Sequence, residues 1–250
     1  MASTLKQKVI RAGGWNIAGY AMSQVMRLGN NLVMTRLLAP EMFGVMAIAT
    51  TVTTVLALLS DIGVRQNIVQ SHRGDDPAFL DTAWVVQIVR GAILWFAALG
   101  ICVAIYFANH LQAFPAVSVY AISSLPFVIA ACSFSAVISG FQSTKWATAY
   151  RRFDQKRITQ IELAAQLIAL IFMIPAALSS RSIWVLVIGW LVASLVRTIL
   201  SHTWMNGHSN RIRWDKDSLK ELIQFGKWVF VSSFVGVLAS SGDFILGGFV

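Results

Sequence analysis

The chain of 250 residues is 56% hydrophobic and only 12% charged, and its formal net charge is +9. A soluble domain carries about 25% charged residues, so these charges are too few for a water-facing surface and indicate an integral membrane protein. The basic excess lies in short segments between apolar runs rather than on one folded face, which argues against nucleic acid as a partner. Cys102 and Cys132 both fall inside apolar runs, so we expect neither a disulfide framework nor a thiolate metal site.

Apolar runs divide the chain into membrane-spanning segments. Six complete runs reach the roughly 20 residues that a spanning helix needs, at about 12–38, 43–69, 83–107, 114–139, 160–178 and 182–202. A seventh run begins near residue 222 and continues to Val250. The basic N-terminus lacks a clean apolar core and a small-residue cleavage site, so we interpret it as a retained first helix rather than a signal peptide. The sequence therefore predicts an all-α, polytopic integral membrane helix bundle, with a six-helix transmembrane lobe over residues 1–221 and a truncated seventh helix over residues 222–250.

Three sequence signals mark where predicted helices begin. Pro40 leads into the second run as a first-turn proline would, and Asp76 followed by Pro77 opens the third. The segment "SLKE" at 218–221 fits a capping box, in which Ser218 would begin the seventh helix.

The distribution of Lys and Arg sets the predicted orientation. Basic residues are concentrated in the N-terminus and in the second, fourth and sixth loops, whereas the first, third and fifth loops carry almost none. By the positive-inside rule the N-terminus and the even-numbered loops are cytoplasmic. The most basic segment, "YRRFDQKRI" at 150–158, is most simply an interfacial anchor, and the alternative is attraction of an anionic lipid or an anionic substrate headgroup.

The first predicted helix carries a polar stripe where a lipid-facing helix would be apolar. At 100° per residue the stripe occupies an arc of about 140°. It consists of Asn16, Tyr20, Ser23, Gln24, Arg27, Asn30, Asn31 and Thr35. Hydrogen bonds between helices could account for the uncharged members. They account poorly for Arg27, which lies roughly 22 Å into the predicted span, so we favour a water-filled cavity over a dry network.

Other charges within the predicted spans allow more than one interpretation. Arg90 either extends to the cytoplasmic interface or joins Arg27 in the cavity, whereas extension to the interface is favoured for Arg197 near its helix end. Asp243 lies deep in the seventh helix and needs a partner, for which Arg27 is one candidate. Because the candidates on the first, third and sixth helices are all arginine, the pocket favours an anion, and phosphate above all.

A weak internal repeat links the first and seventh helices. Aligning Trp15 with Trp228 places Gly29 on Gly242 and Asn30 on Asp243. The spacing suits a second copy of a six-helix unit, an arrangement in which transporters place the substrate between two halves.

Four segments of the chain resemble a known transporter family. They are "TRLLAPEMFGVMAIAT" at 35–50, "LSDIGVRQNIVQ" at 59–70, "YRRFDQKRI" at 150–158 and "FGKWVFVSSFVGVLASSGDFILGG" at 225–248. They are similar to the lipopolysaccharide, O-antigen and exopolysaccharide flippases of the multidrug/oligosaccharidyl-lipid/polysaccharide exporter superfamily. The resemblance implies a two-lobed transporter of which this chain is the first lobe, and half a transporter cannot alternate access alone. We therefore expect the chain to be a fragment whose partner is the missing C-terminal lobe.

The resemblance also implies a substrate and a place in the cell. The substrate would be an undecaprenyl-pyrophosphate-linked oligosaccharide, flipped across the bacterial inner membrane among membrane lipids and in contact with the polysaccharide polymerase machinery. We expect no covalent chemistry, no cofactor and no metal. A low-ranked candidate for coupling to H⁺ or Na⁺ is Asp243. The predicted substrate-binding residues are Arg27, Asn16, Gln24, Asn30, Asn31 and Arg90.

Two rival functions make different demands on the sequence. A cation or drug antiporter of the same superfamily would need an essential carboxylate on the first helix, which carries Arg27 instead. A membrane enzyme acting on lipid-linked sugars would need a large outer loop, and the three predicted outer loops are short.

Overall fold

The computed structural model describes residues 2–60, 62–111 and 122–247, and within these ranges the chain is helical. The helices are α1 (Ala2–Leu37), α2 (Pro40–Leu59), α3 (Val64–Gln70), α4 (Pro77–His110), α5 (Leu125–Gly140), α6 (Lys145–Arg151), α7 (Gln155–Ser180), α8 (Trp184–Thr203) and α9 (Lys216–Gly247). The prediction of an all-α membrane helix bundle is confirmed.

Helix length and composition match the thickness of a bilayer. Among the described residues, α2, α4, α7 and α8 are long and apolar enough to cross a membrane, and α5 with α6 forms a fifth candidate that is bent by 68°. With 36 residues, α1 is about 54 Å long, which exceeds the roughly 30 Å of hydrocarbon. Because of its polar stripe, α1 is less apolar than these candidate membrane-spanning helices and is not counted among them.

The second predicted run is not one helix, and this prediction is wrong. The helix α2 ends at Leu59, Gly63 adopts a left-handed conformation with φ of 60°, and α3 then begins at Val64. Glycine occupies this conformation without the steric cost that a side chain brings. A Cβ at Gly63 would also lie 2.6 Å from a methyl group of Val229 on α9. Hydropathy does not locate this break, because the left-handed turn at Gly63 is a backbone feature and α3 keeps apolar residues such as Val64 and Ile68 among its polar ones.

Two of the three predicted helix starts are confirmed and one is wrong. Pro40 occupies the first turn of α2, and the Asp76 carboxylate accepts a hydrogen bond of 3.0 Å from the Ala78 N–H at the start of α4. The seventh predicted helix begins earlier than the capping box indicates, because the carboxylate of Asp215 accepts from the Ser218 N–H at 2.9 Å. Asp215 therefore caps α9.

The helices pack in a continuous series. On one side α7 lies between α1 and α8, and on the other α5 lies among α8, α4 and α2, with α9 against α4, α2 and α3. Two glycines bring backbones together. A Cβ at Gly91 of α4 would lie 2.4 Å from the Ala136 carbonyl oxygen of α5, and one at Gly19 of α1 would collide with Thr159 of α7. Small residues at such crossings allow the close approach that stabilises membrane helix pairs.

At the end of the bundle where α1, α4, α7 and α9 begin, the loops are joined by charged groups. The guanidinium of Arg151 donates to the carbonyl oxygens of Ile68, Val69 and Ser71 at 2.6–3.2 Å and pairs with Asp75 at 3.3 Å. These carbonyls end α3, so Arg151 caps that helix. The basic segment at 150–158 thus contributes structural contacts within the protein, in addition to any role at the membrane interface.

A second cluster links the loop before α4 to the start of α9. Arg73 pairs with Asp76 at 2.8 Å, with Asp215 at 3.6 Å and with Glu221 at 3.8 Å, and the Ser71 hydroxyl donates to Glu221 at 2.6 Å. The hydrogen bond from Arg73 lowers the pKa of Asp76 below its usual value. The cluster therefore ties the start of α9 to the loop between α3 and α4.

Replacing Asp76 by Asn should produce a small, pH-dependent loss of stability. Asn caps a helix about as well as Asp, so the substitution isolates the charge pairing with Arg73. Because the folded-state pKa of Asp76 is lowered, its contribution is present above the unfolded pKa and is lost as the pH falls through the folded value. Both side chains are more than one third exposed, so we expect less than about 1 kcal/mol at pH 7.

The measurement is the difference in thermal unfolding midpoint between the wild type and Asp76→Asn in detergent. It should shrink as the pH falls through the lowered folded-state pKa of Asp76, because protonation removes the charge that pairs with Arg73. A difference that stays constant throughout this acid range would assign the effect to the cap and not to the charge.

Candidate functional site

A cavity of about 840 Å³ opens between five helices, α1, α2, α5, α7 and α8. Its apolar wall includes Phe43, Met46 and Met173, and its polar wall combines arginine, amide and hydroxyl groups. The polar lining residues are Arg27, Asn30, Asn31, Thr50, Ser135, Ser139, Gln166, Trp190, Ser194 and Arg197.

The α1 wall of the cavity comes from the middle of the polar stripe. Arg27, Asn30 and Asn31 fall on one side of the helix because they are three and four residues apart, and all three line the cavity. The Oδ1 atom of Asn30 is buried and has no hydrogen-bond partner among the described residues. On the opposite side of α1, Val25 and Leu28 are 66% and 61% exposed, as expected for a lipid-facing surface.

The rest of the stripe lies outside the cavity and contacts neighbouring residues. Ser23 exchanges hydrogen bonds with Gln166 of α7, at 2.7 and 3.1 Å. The side-chain oxygen of Asn16 accepts from Gln155 at 3.4 Å, and Gln24 donates to the Tyr20 hydroxyl at 2.7 Å. The predicted substrate contacts of Asn16 and Gln24 stay predictions.

Arg90 is a residue of α4 and lies away from the cavity, next to the C-terminal end of α2. Its guanidinium donates to the Ala57 carbonyl oxygen at 2.7 Å and to the Ser60 hydroxyl at 3.2 Å. These contacts satisfy groups in the last turn of α2, where carbonyls lack helical partners. Its predicted contact with the substrate also stays a prediction.

Apart from Arg197, the cavity-lining residues on α5 and α8 were not singled out from the sequence. Trp190 donates from its indole nitrogen to the Ser135 hydroxyl at 2.9 Å, and the hydroxyls of Ser139 and Ser194 are 3.2 Å apart. Arg197, for which extension to the interface was favoured, instead lines the cavity, and its Nε is buried without a partner among the described residues. Helical spacing could have found this face, since residues 190, 194 and 197 recur every three or four positions.

The charge of the lining has one sign. Two guanidinium groups, on Arg27 and Arg197, belong to the described lining, and no carboxylate does. Guanidinium favours an anion, and it matches phosphate with two parallel hydrogen bonds. The amides and hydroxyls beside it suit a ligand rich in hydroxyl groups.

Comparison with known proteins identifies the family of the chain. A family model described as "Polysaccharide biosynthesis protein" matches residues 33–250. The chain belongs to this family. The resemblance to the polysaccharide flippases is thereby confirmed, and the chain is a multi-pass membrane protein of a polysaccharide biosynthesis family. No curated protein and no solved structure shows a significant similarity to the chain.

The family match covers four of the five helices around the cavity. It includes α2, α5, α7 and α8, whereas Arg27, Asn30 and Asn31 precede its first matched residue. Arg27 therefore lies outside the family match, and only the geometry of this chain places it in the cavity wall.

The predicted coupling carboxylate lies outside the described side chains. The structure describes the backbone of α9 as far as Gly247, but not the side chain of Asp243. Within the part of the chain that is described, no group of three or more His, Cys, Asp or Glu is placed to hold a metal ion.

Proposed function

We propose that this protein flips a lipid-linked oligosaccharide from the cytoplasmic to the outer leaflet of the bacterial inner membrane during polysaccharide biosynthesis. The observation that carries the proposal is an arginine-bearing cavity between membrane helices in a member of a polysaccharide biosynthesis family. The substrate class is an undecaprenyl-pyrophosphate-linked oligosaccharide. Such a molecule combines an anionic headgroup, many hydroxyl groups and a hydrocarbon tail.

Each part of this substrate has a matching surface. Arg27 would hold the pyrophosphate through paired hydrogen bonds, and Asn30 and Asn31 would contact sugar hydroxyls. A volume of about 840 Å³ lies within the range of about 300–1,000 Å³ of pockets that enclose drug-sized ligands. It accommodates the headgroup and the first sugars, while the prenyl tail stays in the lipid between helices.

The mechanism would be alternating access between two lobes. The second lobe would begin with α9, and the charged cluster around Arg73 connects that helix to the first lobe. The protein would move the substrate by exposing the cavity to one side of the membrane and then to the other. Binding energy and conformational change suffice for this, and no covalent step is required.

The test is depletion of the protein in a cell that makes the corresponding polysaccharide. We expect lipid-linked oligosaccharide to accumulate facing the cytoplasm and polymer export to fall, as measured by extraction of the lipid fraction and quantification of surface polysaccharide. Re-expression of the wild type should reverse both effects. Normal export after depletion, with no accumulated intermediate, would contradict the proposal.

A further inference from the structure

A carboxylate lies just beyond the cavity, on α7. Glu162 precedes Gln166 by one helical turn, so both side chains fall on the same side of α7, and Gln166 lines the cavity. Glu162 is partly buried and lies within electrostatic range of Arg197 on α8 and Arg65 on α3, without a direct ion pair to either. The sequence interpretation assigned no role to Glu162.

The surroundings of Glu162 come from three helices besides its own. The charge of Arg197 reaches it from α8 and that of Arg65 from α3, and Tyr150 of α6 also lies within electrostatic range. The guanidinium of Arg65 stacks over the Tyr150 ring, with its central carbon 5.1 Å from the ring centre. Arg65 does not line the cavity, whereas Arg197 does, so Arg197 is the cation that connects Glu162 to the cavity.

Arg197 carries a hydrogen-bond donor that is not satisfied within the described part of the protein. It lines the cavity, yet its buried Nε has no hydrogen-bond partner among the described residues. A buried donor without a partner is costly, and a guanidinium gains most from a planar acceptor that takes two hydrogen bonds. The charge of Glu162 balances that of Arg197 without supplying such an acceptor at Nε.

We infer that Arg197 is a second phosphate ligand of the cavity, and that Glu162 is the internal counter-charge with which the phosphate competes for it. The inference rests on the proposed function, because it concerns the same cavity and the same anionic headgroup. In the empty protein Glu162 balances Arg197. An entering pyrophosphate takes over Arg197, and Glu162 weakens that binding enough for the anion to leave again.

The experiment measures anion binding to the purified full chain in detergent micelles by calorimetry. Inorganic pyrophosphate is the first probe and a short-chain prenyl pyrophosphate is the second, so that a bare phosphate site is distinguished from one that needs the lipid. We expect Arg197→Ala to weaken binding by at least about tenfold, as loss of a charged hydrogen-bond donor would. We expect Glu162→Gln to tighten binding by about three- to tenfold, because it removes a competing negative charge.

A double substitution tests whether the two residues act on each other. If Glu162 acts through Arg197, Glu162→Gln should have no effect on binding when Arg197 is already Ala. The matched controls are Arg36→Ala and Glu41→Gln, which change the same charges at exposed positions outside the cavity. If Arg197→Ala fails to fold, Arg197→Gln keeps much of the side-chain volume and takes its place.

The possible outcomes separate this inference from the proposed function. Binding that Arg27→Ala abolishes but Arg197→Ala leaves at the level of Arg36→Ala would overturn the inference and leave the proposed function standing. Tightening by Glu162→Gln that persists without Arg197 would also overturn it. Failure of the wild type to bind either probe would count against the proposed function itself, and the inference would fall with it.

Discussion

Arg27→Ala should reduce export of the polysaccharide by about 10- to 100-fold, while the amount of protein in the membrane stays normal. The arginine lines the cavity on α1, and a charge-assisted hydrogen bond contributes about 1.5–3 kcal/mol, with 1.4 kcal/mol corresponding to a factor of ten. Lipid-linked oligosaccharide should accumulate in the same cells, because synthesis continues while transport fails. Arg27→Lys should give an intermediate result, since it keeps the charge but loses the planar fork.

The matched control is Arg36→Ala, on the same helix. Arg36 is exposed in the last turn of α1 and does not line the cavity. It should leave export near the wild-type level. Full export by Arg27→Ala at normal protein levels would remove the proposed phosphate role, and equal losses in both variants would indicate a general requirement for positive charge on α1.

Gly91→Ala should destabilise the bundle by about 1–3 kcal/mol or more, although Ala is normally the better helix former. A Cβ at this position would lie 2.4 Å from the Ala136 carbonyl oxygen and 3.2 Å from its carbonyl carbon. Both atoms belong to the backbone of α5, so neither can rotate away. The helices α4 and α5 would have to separate, with loss of packing along their crossing.

Gly100→Ala on the same helix should have the opposite sign. No atom lies within 4 Å of a Cβ built there, so the substitution should be neutral or stabilising by up to about 1 kcal/mol. Thermal unfolding of both variants in the same detergent measures the contrast. An unchanged midpoint for Gly91→Ala would mean that α4 and α5 are farther apart than the structure indicates.

Composition and helical periodicity predicted the class of fold and one wall of the cavity. The low charge content requires a lipid-facing surface, and a period of 3.6 residues places Arg27, Asn30 and Asn31 on one side of α1. Both are local properties of the sequence. The same reasoning joined Asn16 and Gln24 to that group. Asn16 lies about three turns before the first lining residue, and Gln24 bonds to Tyr20 instead of lining the cavity, because angular position on a helix specifies neither depth nor neighbours.

The other walls depend on which helices meet, and local sequence does not encode this. Ser135 and Trp190 are 55 positions apart and bond only because α5 packs against α8. The contacts of Arg90 likewise depend on which helix packs beside it. The place of Arg90 in an apolar run left open whether it extends to the cytoplasmic interface or joins the cavity, and the end of α2 lies beside it and supplies acceptors. Glu162 was overlooked because a single carboxylate near a helix start is ordinary until its neighbours from α3 and α8 are known.

The interruption between α2 and α3 connects the position of α9 to that of α2. Gly63 faces Val229 and Ile62 faces Gly226, so α9 is seated in the gap between the two segments. A tilt of α9 would therefore displace the inner end of α2, whose other half carries Phe43, Met46 and Thr50 into the cavity wall. Motion of α9 would then change the width of the cavity through its direct contacts with the segment that joins α2 and α3.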